Sequence, residues 1–525
     1  MRYSIDRGTS EPAMFAFSEL TPTSFLARSA RVHADRPAII DGEHRFSYRQ
    51  FADRSLRLAG ALAALDIQPG DRVAVLASNS HVMLECHHGI PTAGAVLVPL
   101  NIRLSAHELA WIIQHCAAKA LICTGDLVEL AERVVATTGI NLIDESAYES
   151  ALSTAEPLRR PCADERGLLA INYTSGTTGD PKGAMYHHLG AYLQALSMVV
   201  HTELNARSRY LSTLPMFHCD GWCFPWAVTA AGATHVCLRK FSAAAAWRAL
   251  REESVTHFSA APTILTMIAD ASEVDGSPLP HRVSVQTGGA PPGSALLARL
   301  DRLGFDVTHL YGLTETSGPV AVNDWHPEWD EFDQATRARL SARQGVGNVT
   351  ADQVRVVDDD GADVPADATT IGEIALRGNT LMLGYYRDPE RTRAASIQRS
   401  DETFFRTGDL AVRHPDGYIE IRDRRKDVII SGGENISSVE VERVLDHHPS
   451  ILESAVVACP DEQWGEVPVA FVTLRDDAES FDEGSVVAFL RTRLAGFKVP
   501  KRFVIGPLPK TSTGKIQKNI LREQL

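Results

Sequence analysis

The sequence predicts an α/β protein: a large N-terminal domain of parallel α/β layers with a β-rich subdomain, then a small α+β domain. Three observations carry this. Short apolar runs alternate with helix-period segments up to residue 346. Beyond it, the turn pairs Asp360-Gly361 and Asp416-Gly417 separate extended runs. After the charged stretch Asp423-Arg424-Arg425-Lys426-Asp427, the remaining residues (about a hundred) alternate helix and strand, a usual domain size.

In chain order, RVAVLAS (72–78), GAVLVPL (94–100), ALIC (120–123) and LLAINYTS (168–175) read as buried strands. THVCLR (234–239), VTHFSA (255–260), VSVQTGG (283–289) and VTHLYG (307–312) follow as further strands. AAAAWRALREE (243–253) and GSALLARLDRLG (293–304) carry the helix period between them. EIALRG and YIEIRD read as the antiparallel part, and EVERVLDHHP, ESAVVACP and SVVAFLRTRLAGF build the last domain. The expected boundaries are 1–423, a hinge at 424–427, and 428–525.

Composition narrows the function. With 52 basic and 66 acidic residues the net charge is −14, which argues against nucleic acid or an anionic membrane surface as partner. No run of eighteen apolar residues is present, so no membrane span is expected. The N-terminus lacks the basic start and apolar run of a signal peptide, and the C-terminal Arg-Glu-Gln-Leu is no peroxisomal address. The eight cysteines are irregularly spaced and read as reduced thiols of a cytoplasmic protein. His218-Cys219 with Cys223, and Cys86-His87-His88, lack the paired spacing of a zinc site.

One segment carries phosphate chemistry. Thr174-Ser175-Gly176-Thr177-Thr178-Gly179-Asp180-Pro181-Lys182-Gly183 follows a predicted strand. Its glycines and small hydroxyls let backbone wrap oxyanions, and Lys182 adds a cation. It is not the Walker form: Pro181 and Gly183 stand where that pattern needs a glycine and a hydroxyl. Taken singly, Thr314-Glu315-Thr316 also reads as a helix cap and Asp409 as a turn residue.

The loop resembles the signature of the adenylate-forming superfamily, and further motifs recur in that family's order. These are Leu214-Pro215-Met216-Phe217-His218, Gly288-Gly289-Ala290-Pro291, Tyr311-Gly312-Leu313-Thr314-Glu315-Thr316, Tyr385 to Pro389, and Arg406-Thr407-Gly408-Asp409. Arg424 to Asp427, Gly432-Gly433-Glu434-Asn435 and Pro509 to Lys515 complete the set. The chain is most similar to acyl-CoA synthetases of the short- to medium-chain acyl-activating branch. The resemblance implies ATP-dependent adenylation of a carboxylic acid, then thioester formation with coenzyme A, releasing AMP and pyrophosphate. Loading of an acyl carrier protein is the alternative.

The resemblance also implies roles. Thr174, Ser175, Gly176, Thr177, Thr178 and Lys182 would hold the outer phosphates, and Glu315 would bind Mg2+, a hard cation suited to carboxylate. Gly289, Ala290, Pro291 and Tyr311 would enclose adenine, with His309, Gly312, Thr314 and Ile421 completing the nucleotide site. Asp409 would accept from the ribose hydroxyls, and Arg424 would reach ribose or phosphate. Lys515 would neutralise the collision of carboxylate with α-phosphate, assisted by His218, Thr314 and Glu315. Lys426 would be the hinge of a mobile C-terminal domain, and Gly432, Gly433 and Glu434 would lie beside CoA. Asp423 stands where many relatives have glycine, a departure that could stiffen the hinge.

Trp222, Ala261, Pro262, Gly288, Gly312, Thr316 and Ser317 would line the acyl pocket. They are apolar or small, and none is a basic partner for a second carboxylate. Cys219 follows His218 where amino-acid-activating relatives carry an aspartate, so an acid without an α-amino group is favoured. Cys-His nucleophilic catalysis is not needed, because ATP activates the acid and the thiol attacks it. Chain length of the acid and assembly, a homodimer among the choices, are left open.

Overall fold

The computed structural model describes residues 17–174, 181–271, 278–288, 294–399, 401–432, 434–461, 463–475, 481–511 and 515–525. Among the described residues the N-terminal part contains two large, mainly parallel sheets. One runs in the order Asn141–Ile143, Ala120–Cys123, Arg72–Leu76, Val96–Pro99, Leu168–Thr174, Lys182–His187. The other has nine strands and ends on the hairpin Pro37–Asp41/His44–Ser47 at one edge and Gly318–Val322 and Val346–Gly347 at the other. Continuous apolar runs such as Val73-Ala74-Val75-Leu76 are fully buried, as strands covered on both faces require.

The helix His81–Thr92 is buried at every position. Its Val82, Leu84 and Ile90 share one core with Val73, Val75 and Leu97 of the first sheet and Ile39 of the second. The two sheets are thereby fixed as neighbours across a helical layer.

Past residue 346 the chain turns antiparallel. Gln353–Val357, Gly372–Arg377, Glu402–Arg413 and Ser396–Arg399 form a sheet, with Ile419–Arg424 paired to Glu402–Arg413. That last strand runs through Arg424, placing Arg424 opposite Asp409. The C-terminal unit has its own sheet, centred on Ile451–Asp461 and Gly465–Leu474, with the helices Ser438–Leu445 and Glu483–Arg491. Its separate core is built on Ile429, Val441, Val456 and Val472.

Candidate active site

The strand Leu168–Thr174 and the strand Lys182–His187 are antiparallel neighbours, and Thr174 pairs directly with Lys182. The Gly/Ser/Thr segment therefore joins two paired strands instead of leading into a helix, which is why the Walker spacing does not apply. Ser175, Gly176, Thr177 and Thr178 lie outside the described residues, as do Gly289, Ala290, Pro291 and Gly433. Both ends of the loop are fixed, however. The Lys182 ammonium lies 5.2 Å over the Tyr385 ring, and the Tyr385 hydroxyl donates to Glu315 Oε1 at 2.7 Å. Tyr385 reaches this place because residues 383–386 pair with the Lys182 strand: Tyr386 N donates to Gly183 O and Leu383 N to Met185 O. Sequence reasoning assigned Tyr385 no role, although it sits in the Tyr385–Pro389 motif.

Glu315 follows the strand Phe305–Leu313, and Met382 N donates to its carbonyl at 2.9 Å. Among the described residues no group of three or more His, Cys, Asp or Glu side chains could hold a metal. A single half-buried carboxylate suits Mg2+, which keeps several waters and takes its other ligands from nucleotide phosphates.

On the same strand, the buried Tyr311 donates its hydroxyl to Asp409 Oδ2 at 2.7 Å. Arg424 Nε holds the other oxygen, Oδ1, at 2.9 Å. Ile421 lies in the core with Tyr311, its N–H donating to Gln344 Oε1. His309 is buried with Nδ1 3.1 Å from Arg343 O, and burial pushes its pKa down to about 4, so it is neutral.

Lys515 comes from the C-terminal unit and meets this group. Its side chain stays exposed to solvent; crowding by neighbouring groups, then the positive charges of Arg424 and Lys426, push its pKa down to about 8, against the opposing pull of Asp409 and Asp427. His218 is pushed down to about 4 by burial and by the charge of Lys515, which puts a neutral imidazole beside the lysine. The structure thus brings together Lys182, His218, Glu315, Tyr311, Asp409, Arg424 and Lys515. Gly432 and Glu434 lie elsewhere, on the hairpin Ile429–Ser431/Glu434–Ile436, where Gly432 N donates to Trp464 O.

Behind His218 the backbone is unusual. Cys219, Asp220, Gly221, Trp222 and Cys223 all have positive φ, between 41° and 62°. Four of the five carry a Cβ, at about 1–2 kcal/mol each, and strain of this kind concentrates at functional sites. The turn brings the Trp222 indole against Gly288, where an added methyl would lie 2.8 Å from the ring. Thr316 and Ser317 spend their hydroxyls on backbone, Thr316 on Gly318 O and Ser317 on Thr380 O, so they shape the pocket wall without offering donors. Ala261 and Pro262 start the helix Pro262–Ala269, and Gly312 is exposed on the cleft strand.

The thiols here are not nucleophiles. Cys219 contacts Thr314 Oγ1 at 3.0 Å and is pushed up to about 12 by burial; Cys223 is buried on Ser317 O and raised well above the ordinary range. Thr314 is further fixed by Tyr186, whose hydroxyl donates to Thr314 O at 2.7 Å.

The Tyr311–Asp409–Arg424 cluster, with Lys182 and Glu315 beside Tyr385 and Lys515 arriving from a second unit, is the candidate site. The profile of AMP-binding enzymes matches residues 26–386, and that of the AMP-binding enzyme C-terminal domain matches residues 440–515. The chain belongs to the AMP-binding enzyme family. A peroxisomal acetate/butyrate–CoA ligase of Arabidopsis thaliana is 44% identical, covering 96% of this chain and 94% of its own. A 4-hydroxybutyrate–CoA ligase of Metallosphaera sedula is 39% identical over 98% of this chain and 96% of its own. ATP-bound MatB from Rhodopseudomonas palustris superposes with a TM-score of 0.84 at 28% identity, covering 96% and 98% of the two chains.

This AMP-binding enzyme is accordingly an acid–thiol ligase: it uses ATP to convert a small carboxylic acid to its acyl-adenylate and passes the acyl group to coenzyme A. Among its described residues no helix is long and apolar enough to cross a membrane.

Proposed function

We propose that the acid is a short-chain monocarboxylate, and that Lys515 is the cation that makes its adenylation fast. The observation behind the first part is the Trp222 indole pressed on Gly288; in this reading the ring closes the pocket to a long acyl chain. The absence of a basic residue from Trp222, Ala261, Pro262, Gly288, Gly312, Thr316 and Ser317 favours one carboxylate over two. The acetate/butyrate and 4-hydroxybutyrate ligases among its relatives point the same way.

In this reading Asp409 takes the ribose hydroxyls, Tyr311 packs on adenine, and Lys182 with the 175–178 hydroxyls carries the outer phosphates. Mg2+ at Glu315 would supply charge neutralisation on those phosphates. The substrate carboxylate attacks the α-phosphorus, its C–O⁻ forming the new P–O bond as pyrophosphate leaves with the bonding pair. Lys515 holds its proton and offers positive charge to the oxygens that approach. Neutral His218 contributes a polar wall without adding repulsion or a competing base. The second half-reaction is the attack of the CoA thiol on the acyl-adenylate, with Gly432, Gly433 and Glu434 beside the thiol once the C-terminal unit turns about Lys426. The eight unpaired cysteines favour a reducing compartment such as the cytoplasm.

A panel of acids from acetate to octanoate, with benzoate and malonate, tests this by pyrophosphate release and thioester formation. Acetate to butyrate should lead, with CoA consumed stoichiometrically and AMP as product. Preference for octanoate or malonate overturns the substrate assignment, and transfer only to a phosphopantetheinyl carrier overturns CoA as acceptor.

A further inference from the structure

One acid, Asp423, makes the buried part of the contact between the N-terminal sheet and the C-terminal unit, beside the Ser437 Oγ hydrogen bond to Arg422 O and the Arg443–Glu420 ion pair. Asp423 is 2% exposed, on the strand Ile419–Arg424, immediately before the arginine that clamps Asp409. Its Oδ2 accepts from Ser438 N, and its Oδ1 accepts from Ser438 Oγ at 3.0 Å and from Arg424 N at 2.7 Å. Ser438 opens the helix Ser438–Leu445, so the carboxylate sits at the positive end of that helix. Ser438 Oγ also receives a hydrogen bond from Lys518 Nζ at 2.6 Å, and Lys518 stands three residues beyond Lys515 in the sequence.

The chain between Asp423 and Ser438 contains the proposed pivot, Lys426. Any rotation of the C-terminal unit about that point must carry Ser438 away and leave the Asp423 carboxylate without two of its three donors. A buried charge stripped of its hydrogen bonds is costly, so the contact favours the docked pose over all others. Lys518 ties the same Ser438 to the segment that bears Lys515.

We propose that Asp423 is a positioning residue for the adenylation half-reaction: by holding Ser438, and through it Lys518, it keeps Lys515 in the cleft. This rests on the reading of Lys515 as the adenylation cation.

The test compares Asp423→Ala, Asp423→Asn and Lys515→Ala in the full chain, with both half-reactions followed separately. Acid-dependent ATP–pyrophosphate exchange reads the first, and CoA-dependent consumption of supplied acyl-adenylate reads the second. Asp423→Ala should lower kcat for exchange about tenfold or more, the scale of two hydrogen bonds to a charged group, with KM for ATP little changed. The second half-reaction should be unchanged or faster, because the unit leaves the docked pose more readily. Asp423→Asn retains an acceptor and the packing, and should fall between, with a melting temperature close to the parent's. Equal losses in both half-reactions, or no loss in either, overturn the proposal. Exchange that survives Lys515→Ala would instead sink the reading of Lys515, whatever Asp423 does.

Discussion

The Tyr311 hydroxyl and the Asp409 carboxylate form a 2.7 Å hydrogen bond, with Arg424 on the opposite oxygen. In the proposed reading the acid is thus oriented before a ribose arrives, and the ring beside it is fixed in the same stroke. Asp409→Ala should raise KM for ATP about 10- to 100-fold, since it also leaves the Arg424 guanidinium uncompensated. Tyr311→Phe keeps the ring and loses one hydrogen bond, for a loss in kcat/KM of about fivefold. Steady-state kinetics with ATP as varied substrate checks both.

Lys515→Ala should lower the adenylation rate about 10²- to 10³-fold while largely sparing transfer from supplied acyl-adenylate. The pH dependence follows from the lowered pKa. The free enzyme loses the working ammonium as pH rises through about 8, so kcat/KM for exchange should fall on that limb. Lys515→Arg, which stays charged, should be slower at neutral pH but lack the limb. A parent profile flat to pH 10 contradicts this.

In the proposed reading Trp222 sets pocket length, and its φ of 57° suits glycine better than any substitute with a Cβ. Trp222→Gly should therefore open the pocket without adding backbone strain. The ratio of kcat/KM for acetate over hexanoate should fall by on the order of 10², as each methylene in an apolar pocket is worth about 1–3 kcal/mol. An unchanged ratio would remove Trp222 from the specificity determinants.

Asp220 is fully buried, and neither carboxylate oxygen has a hydrogen-bond partner among the described residues; burial pushes its pKa up to about 7. A carboxyl raised in the fold favours the native state at low pH, and that contribution is lost as pH rises from about 4 through about 7. Asp220→Asn removes the ionisation, so its melting temperature should decline less than the parent's between pH 5 and 8. Over that range the difference is at most about 3 kcal/mol. Parallel stability profiles would show that Asp220 stays charged.

Much of the fold and of the candidate site is legible in the sequence. Ala120–Cys123 appears as the apolar run ALIC, because a strand covered on both faces admits nothing else. The segments around Asp409, Glu315 and Lys515 are ambiguous singly and stand out only because their motifs recur together in the order of the adenylate-forming superfamily. The hairpin Pro37–Asp41/His44–Ser47 was not anticipated, since five residues beside a short polar pair are ambiguous between strand and loop. The left-handed run at 219–223 was equally hidden, with a single glycine among five positive φ values. It is held by burial and contacts to Thr314 and Ser317, and those are tertiary. Tyr385 shows the same limit from another side: its partner Glu315 lies seventy residues away, and only the strand pairing at 383–386 joins them.

The guanidinium of Arg424 faces two ways. It clamps the ribose-type acceptor Asp409, and its field helps weaken the hold of Lys515 on its proton. A triphosphate brings several negative charges into that field and so must strengthen the hold again. In the proposed mechanism the reactant thereby arms the lysine that acts on it. An unoccupied enzyme carries a partly discharged lysine at slightly alkaline pH, and the working charge is completed only when there is an anion to meet it.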